Sequence, residues 1–112
     1  MYLSQSELIS LARDDTEKLV RIIKSGELDV VSLTYAAEYL GSEGKLSASA
    51  LATLLGLSFY HSTVVREGAI YGLRNHMKDM TVRLRLQDMA NTDPSPGVAE
   101  AAMNELADYR GE

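Results

Sequence analysis

Cysteine is absent from this sequence of 112 residues. Without cysteine the chain can form neither a disulfide nor a cysteine-ligated zinc site, which excludes a disulfide-stabilised secreted scaffold. No apolar run comes near the roughly 20 residues that a membrane-spanning helix needs, and the start lacks the basic and apolar segments of a signal peptide. We therefore expect a cytoplasmic protein with no membrane partner.

Positive charge is scarce as well. The chain carries 11 Lys and Arg against 16 Asp and Glu, a net charge of -5, and the acidic residues are spread along its whole length. Nucleic-acid-binding surfaces need concentrated positive charge, so nucleic acid is not an expected partner. The acidic balance favours simple solubility and is compatible with a basic protein partner.

One group of basic residues stands apart, formed by Arg74, Lys78, Arg83 and Arg85. It lacks the interleaved aromatic residues that stack on nucleic-acid bases. We interpret it as a solvated edge, with contact to nucleic acid as the alternative.

Signals of catalysis or metal binding are few. His61 and His76, the two histidines, are 15 residues apart and belong to no metal-ligand motif. Residues 41–45 resemble a phosphate-binding loop only in part, because the full spacing and a preceding strand are missing. No nucleophile stands in a recognisable arrangement with a base. We predict no enzyme activity, no catalytic residue, no cofactor and no metal.

Strand-like alternation is nearly absent, whereas apolar residues recur at helical spacing. The sequence predicts one all-α domain over residues 1–112, with a leading helix in 1–14 and helix pairs in 15–41, 47–75 and 80–109. The start at Met and the separate leading helix are expected of a complete small protein. The predicted core of the three pairs is formed by Leu19, Ile22, Ile23, Leu33, Ala36, Ala37, Leu40, Leu51, Leu54, Leu55, Val65, Ala69, Ile70, Leu73, Leu84, Leu86, Met89, Val98, Ala102, Met103 and Leu106.

The second helices of the three pairs repeat with a fixed period. Leu40, Leu73 and Leu106 lie 33 residues apart and end the similar stretches 30–40, 63–73 and 96–106. Such a period indicates one structural unit copied along the chain, whose copies stack and share a core. Gly68 and Gly72 are unusual within the helix of the second copy. We expect tyrosine rings from the first copy to lie across them, and the close approach of a partner's backbone is the alternative.

Residues 93–106 read DPSPGVAEAAMNEL and resemble the second half of a HEAT repeat, Asp-Pro-x-x-x-Val-Arg-x-x-Ala-x-x-x-Leu, with Ala99 in place of the arginine. The second copy keeps Val65-Arg66 but has Tyr60-His61 in place of Asp-Pro, and the first copy has Ser32 in place of the valine. The resemblance covers about residues 15–109 and implies an α-α superhelix, a short α-solenoid of about three HEAT-like pairs. HEAT-like proteins are mostly scaffolds and binding modules; a few are enzymes or lyases, and some small ones are inhibitors.

The second helices are expected to carry the binding surface. Opposite their predicted core side lie acidic and tyrosine residues, which are suited to binding a basic protein, although a solvated helix face is the alternative. The predicted partner-binding residues are Thr34, Tyr35, Glu38, Glu67, Tyr71, Glu100 and Asn104. The predicted function is a non-catalytic protein-interaction module, in its most specific version an inhibitor or immunity protein that masks a basic toxin or nuclease. Alternatives are an adaptor or scaffold subunit of a larger assembly, and a lyase or ligand-binding protein that uses the concave groove.

Overall fold

The computed structural model of the protein describes residues 1–111, and all of the regular secondary structure in that range is helical, which confirms the all-α prediction. The helices lie in the predicted segments, except that α3 continues one residue further, to Ser42. Their bounds are α1 Gln5–Asp14, α2 Thr16–Lys24, α3 Val30–Ser42, α4 Ala48–Leu57, α5 Thr63–Leu73, α6 Met80–Thr92 and α7 Pro96–Asp108, with a 3₁₀ helix at Arg74–His76 between α5 and α6.

Most helices begin at a side chain that accepts a hydrogen bond from an otherwise unpaired backbone N–H of the first turn. Ser4 and Glu7 form the predicted capping box of α1. Such a cap is worth about 1 kcal/mol. The other capping side chains are Asp15, Asp29, Ser47, Asp79 and Ser95. The caps explain why a new helix begins at each of these points.

One core runs through the molecule. Helix α3 packs against α5, α6 packs against α7, α2 contacts α4, and α1 covers α2 and α3. Two side chains predicted to be in this core are exposed: Leu84 is 57% exposed and Met103 is 55% exposed. Those two predictions are wrong. Leu84 lies on the outer side of α6, and no helix in residues 1–111 follows α7 to cover Met103.

Helices α3 and α5 approach one another until their backbones touch. A Cβ atom on Gly68 would lie 2.6 Å from the Thr34 carbonyl oxygen, and Cβ atoms on Gly41 and Gly72 would lie under 3.0 Å from backbone atoms of the opposite helix. The glycines therefore make room for a neighbouring backbone. The expectation that tyrosine rings lie across Gly68 and Gly72 is wrong.

Two arginines whose side chains are largely buried link successive segments. Arg66 on α5 donates from Nε and Nη2 to the two carboxylate oxygens of Asp93, both at 3.0 Å, and from Nη1 to the Tyr60 carbonyl oxygen. Arg85 on α6 donates to Oγ and to the carbonyl oxygen of Ser58, at the end of α4. Each link spans 27 residues and fixes one helix pair against the next.

Candidate partner-binding face

The seven predicted partner-binding residues lie on three helices, and none is fully buried. Those on α3 and α5 are half-buried, whereas Glu100 and Asn104 on α7 are exposed. One side-chain hydrogen bond in the described part of the chain joins two of the seven, and it runs from the Tyr71 hydroxyl to Glu67 Oε1 at 2.9 Å.

On α3, some of the predicted residues make hydrogen bonds or ring contacts within the chain itself. The Thr34 hydroxyl donates to the Val30 carbonyl oxygen at 2.7 Å, and the Thr34 backbone meets α5 at Gly68. The ring of Tyr35 stacks on that of Tyr39, with 6.1 Å between centroids. The Tyr39 hydroxyl donates to Gln5 of α1, and burial, followed by the charge of Glu38, raises the pKa of Tyr39.

On α5 the site residues are held in one arrangement. The hydrogen bond to Glu67, together with burial, raises the pKa of Tyr71, so this hydroxyl stays protonated and donating at neutral pH. The Arg74 guanidinium lies 5.4 Å from the centre of the Tyr71 ring. Arg74 also pairs with Glu105 on α7 at 3.6 Å, which joins the α5 and α7 parts of the surface.

The sequence prediction did not include two apolar residues of this surface. Val31 is 58% exposed and Val64 is 50% exposed, although both belong to the repeated stretches. They occupy equivalent positions 33 residues apart, one helical turn before Thr34 and Glu67. The 33-residue spacing shows that the two valines share a position of the repeat, but it does not show that this position is exposed. We name the surface formed by the seven predicted residues with Val31 and Val64 the partner face.

A separate groove lies beyond the C-terminal end of α5, next to the 3₁₀ helix. Its volume is about 700 Å³, and its apolar part includes Leu46, which is 73% exposed. Its charged and titratable lining residues are Arg74, Lys78, Asp79 and His76. Burial lowers the pKa of His76, against the opposing charge of Asp79, so the imidazole is neutral at pH 7.

The predicted basic cluster does not form one surface. The Arg85 guanidinium lies 3.6 Å from the centre of the Phe59 ring, and that of Arg83 lies 5.5 Å from the centre of the Tyr109 ring. Both guanidiniums are thus engaged within the fold. Arg74 and Lys78 are the members of the cluster that line the groove.

Within residues 1–111, no group of three or more His, Asp or Glu side chains is placed to hold a metal ion. None of the described helices combines the length and apolar character needed to span a bilayer. Comparison with family models, with curated proteins and with solved structures gave no match to this chain.

Proposed function

We propose that this chain is a non-catalytic protein-binding module that recognises a basic partner through the partner face. The observation that carries the proposal is the contrast within the second helices. Ala36, Ala69 and Ala102 are completely buried, whereas Glu38, Glu67 and Glu100, near them in sequence on the same helices, remain at least partly open to solvent. Three helices thus present carboxylates on a surface that the core does not use.

The finer architecture that we propose is a short HEAT-like α-solenoid. Close contacts pair Thr34 with Gly68 and Ala37 with Gly72, so residues advance together along α3 and α5 and the two helices run parallel. Contacts between α2 and α4, and between α5 and α7, support the same stacking of first helices with first helices and second with second.

The chemistry of the partner face favours a basic protein surface. Carboxylates attract Lys and Arg over long range and speed the encounter, while tyrosine rings and exposed valines supply apolar contact at the centre. Tyr71 is already oriented by Glu67, so little side-chain freedom is lost when a partner binds. An inhibitor or immunity protein that masks a basic toxin or nuclease is the most specific version of this proposal, and an adaptor is the alternative.

Reversing the charge of three partner-face carboxylates should weaken this recognition. The Glu38→Lys, Glu67→Lys, Glu100→Lys triple variant is expected to bind the partner at least roughly tenfold more weakly, because like charges then face one another. Wild-type protein, immobilised and exposed to an extract of its native cell, provides the partner. Titration calorimetry with the purified partner then gives the two affinities.

The control is the Asp14→Lys, Glu17→Lys, Glu27→Lys variant, which changes the net charge equally at exposed positions on the first two helices and the loop that follows them. It is expected to bind within a few-fold of wild type. Equal losses in both variants, or no loss in the first, would show that net charge or another surface governs binding. Inhibition of a partner's enzymatic activity would separate an inhibitor from an adaptor.

The groove favours a second candidate, the binding of an anionic small molecule. Its volume of about 700 Å³ lies in the range of ligand sites, and Lys78 and Arg74, the latter paired with Glu105, outnumber the one lining carboxylate, Asp79. Native mass spectrometry of the protein from its own cell is the test. A bound small molecule that is lost in a Lys78→Glu variant, with no protein partner recovered, would favour this function over the first.

A further inference from the structure

The groove beyond the C-terminal end of α5 is built where three parts of the chain meet. Its lining consists of residues 46–48 and Leu51 around the start of α4, residues 74–79 between α5 and α6, and Tyr109 after α7. These parts are helix ends and connections, so the groove lies at an edge of the helix stack. None of the partner-face residues lines it. The groove is therefore a surface separate from the one proposed for a basic protein.

Arg83 holds one wall of the groove in place. Its guanidinium donates from Nη1 to the Met77 carbonyl oxygen at 2.6 Å and lies 5.5 Å from the centre of the Tyr109 ring. One side chain of α6 thus joins two lining residues that are 32 positions apart in the sequence. A wall that is fixed before a ligand arrives loses little side-chain freedom when the ligand binds.

The apolar lining of the groove runs from a buried floor to an exposed rim. Met77 is 6% exposed, and Leu51 and Tyr109 are half-buried. Leu46 is 73% exposed, more than any other large apolar side chain in residues 1–111. Small-molecule sites combine such apolar walls with a few polar groups that fix the orientation of the ligand. The exposed part of this lining is apolar area that the chain of a bound ligand would remove from water.

The charged residues of the lining differ in whether the fold already engages them. Arg74 pairs with Glu105. The Asp79 carboxylate accepts a hydrogen bond from the Thr81 backbone N–H at 2.8 Å and caps α6, where the helix dipole favours a negative charge. Lys78 is exposed, and no ion pair within residues 1–111 involves its ammonium group. The groove thus contains one positive charge that no described side chain pairs with.

We infer that the groove binds a small organic acid with one negative charge and an apolar chain, its carboxylate at Lys78 and its chain between Leu46 and Tyr109. The inference rests on the ligand-binding function proposed above, because it names the chemical class that the same groove takes. A neutral apolar molecule would gain nothing from the charge of Lys78. A doubly charged phosphate would find no second unpaired cation, because Arg74 is already in an ion pair, and the charge of Asp79 would repel it.

Salt separates the contribution of charge from that of apolar contact. The attraction between the Lys78 ammonium and a carboxylate acts at an exposed position, so added sodium chloride screens it. Burial of the apolar chain does not depend on charge and is not screened. We therefore expect an acid of this class to bind less tightly as salt increases, until its affinity approaches that of an uncharged analogue.

Titration of the full chain with octanoate, followed by backbone amide shifts in nuclear magnetic resonance, tests the inference. Millimolar octanoate is expected to shift the amides of residues 46–51 and 74–79. It should bind at least roughly threefold more tightly than octanol, which has the same chain without the charge. Doubly charged octyl phosphate is expected to bind no more tightly than octanoate. Unshifted groove amides, equal affinities for octanoate and octanol, or tighter binding of octyl phosphate would each overturn the inference.

Two single variants separate the two contacts. Lys78→Ala should weaken octanoate binding at least roughly threefold and leave octanol binding unchanged, whereas Leu46→Ser should weaken both. The matched control is Lys24→Ala, which removes the same charge near the far end of α4, where Lys24 lies beside Gly56 and Leu57. The control should bind octanoate as wild type does. Equal losses in the two lysine variants would contradict the inference, because net charge alone would then govern binding.

The same titration distinguishes this inference from the function on which it rests. If a ligand from the native cell occupies the groove but octanoate does not bind, the chemical class is wrong and the proposed ligand binding stands. If octanoate binds as expected but native mass spectrometry recovers no ligand, the class is supported and the result counts against the proposed function.

Discussion

Replacing Gly41 by alanine is expected to lower the free energy of unfolding by about 3 kcal/mol, the upper end for overpacking a core. The added methyl group would lie under 3.0 Å from the Gly72 carbonyl oxygen, carbonyl carbon and Cα. Backbone atoms cannot turn aside as a flexible side chain can, so α3 and α5 must separate along their contact. Urea unfolding followed by circular dichroism measures the loss.

Gly56 provides the control for this prediction. It lies near the end of α4, is exposed, and an added Cβ would find no atom within 4 Å. Gly56→Ala is therefore expected to raise the free energy of unfolding by up to about 1 kcal/mol, the difference in helix propensity. If both alanine variants gained stability, the close contact between α3 and α5 would not constrain the fold.

Replacing Asp93 by alanine is expected to cost about 3–5 kcal/mol, because it leaves the Arg66 guanidinium buried without its counter-charge. The side chains of Arg66 and Asp93 are only 11% and 4% exposed. The matched control is Glu43→Ala, which breaks an equally close pair with Arg13 whose side chains are 29% and 60% exposed. That surface pair should contribute far less to stability, because solvent screens it. Similar losses in the two variants would contradict the importance of burial.

The same pair should make stability depend on pH. Burial by itself would raise the pKa of Asp93, but hydrogen bonds from Arg66 and from the Ser95 backbone, with the charge of Arg66, hold it below the usual value. A carboxylate whose folded pKa is lowered stabilises fully above its unfolded pKa, about 4, and this contribution is lost as pH falls through the folded pKa. The stability difference between wild type and Asp93→Asn should therefore shrink on acidification from neutral pH. A difference that stays constant down to about pH 2 would contradict the lowered pKa.

Much of the candidate site could be predicted from the sequence because helical periodicity and the 33-residue spacing reveal which residues share a side. They predicted that Ala36, Ala69 and Ala102 are buried, and all three are. The hydrogen bond between Tyr71 and Glu67 lies at the four-residue spacing of one helix and was equally accessible. The exposure of Val31 and Val64 could not be predicted, because the periodicity of one helix does not reveal how far along it a neighbouring helix stays in contact.

The sequence by itself determined the helical class and the sites where most helices begin, since capping side chains and apolar spacing act within a few residues. Tertiary structure alone decided what surrounds each helix. Gly41 touches Gly72, Arg66 reaches Asp93, and Met103 is exposed although the residues at the same position of the other two copies are buried. Each of these outcomes depends on residues roughly 30 positions away in the chain, or on there being no further described helix to pack against. Local sequence fixes which side of a helix is apolar, while only the packed structure decides whether that side is covered.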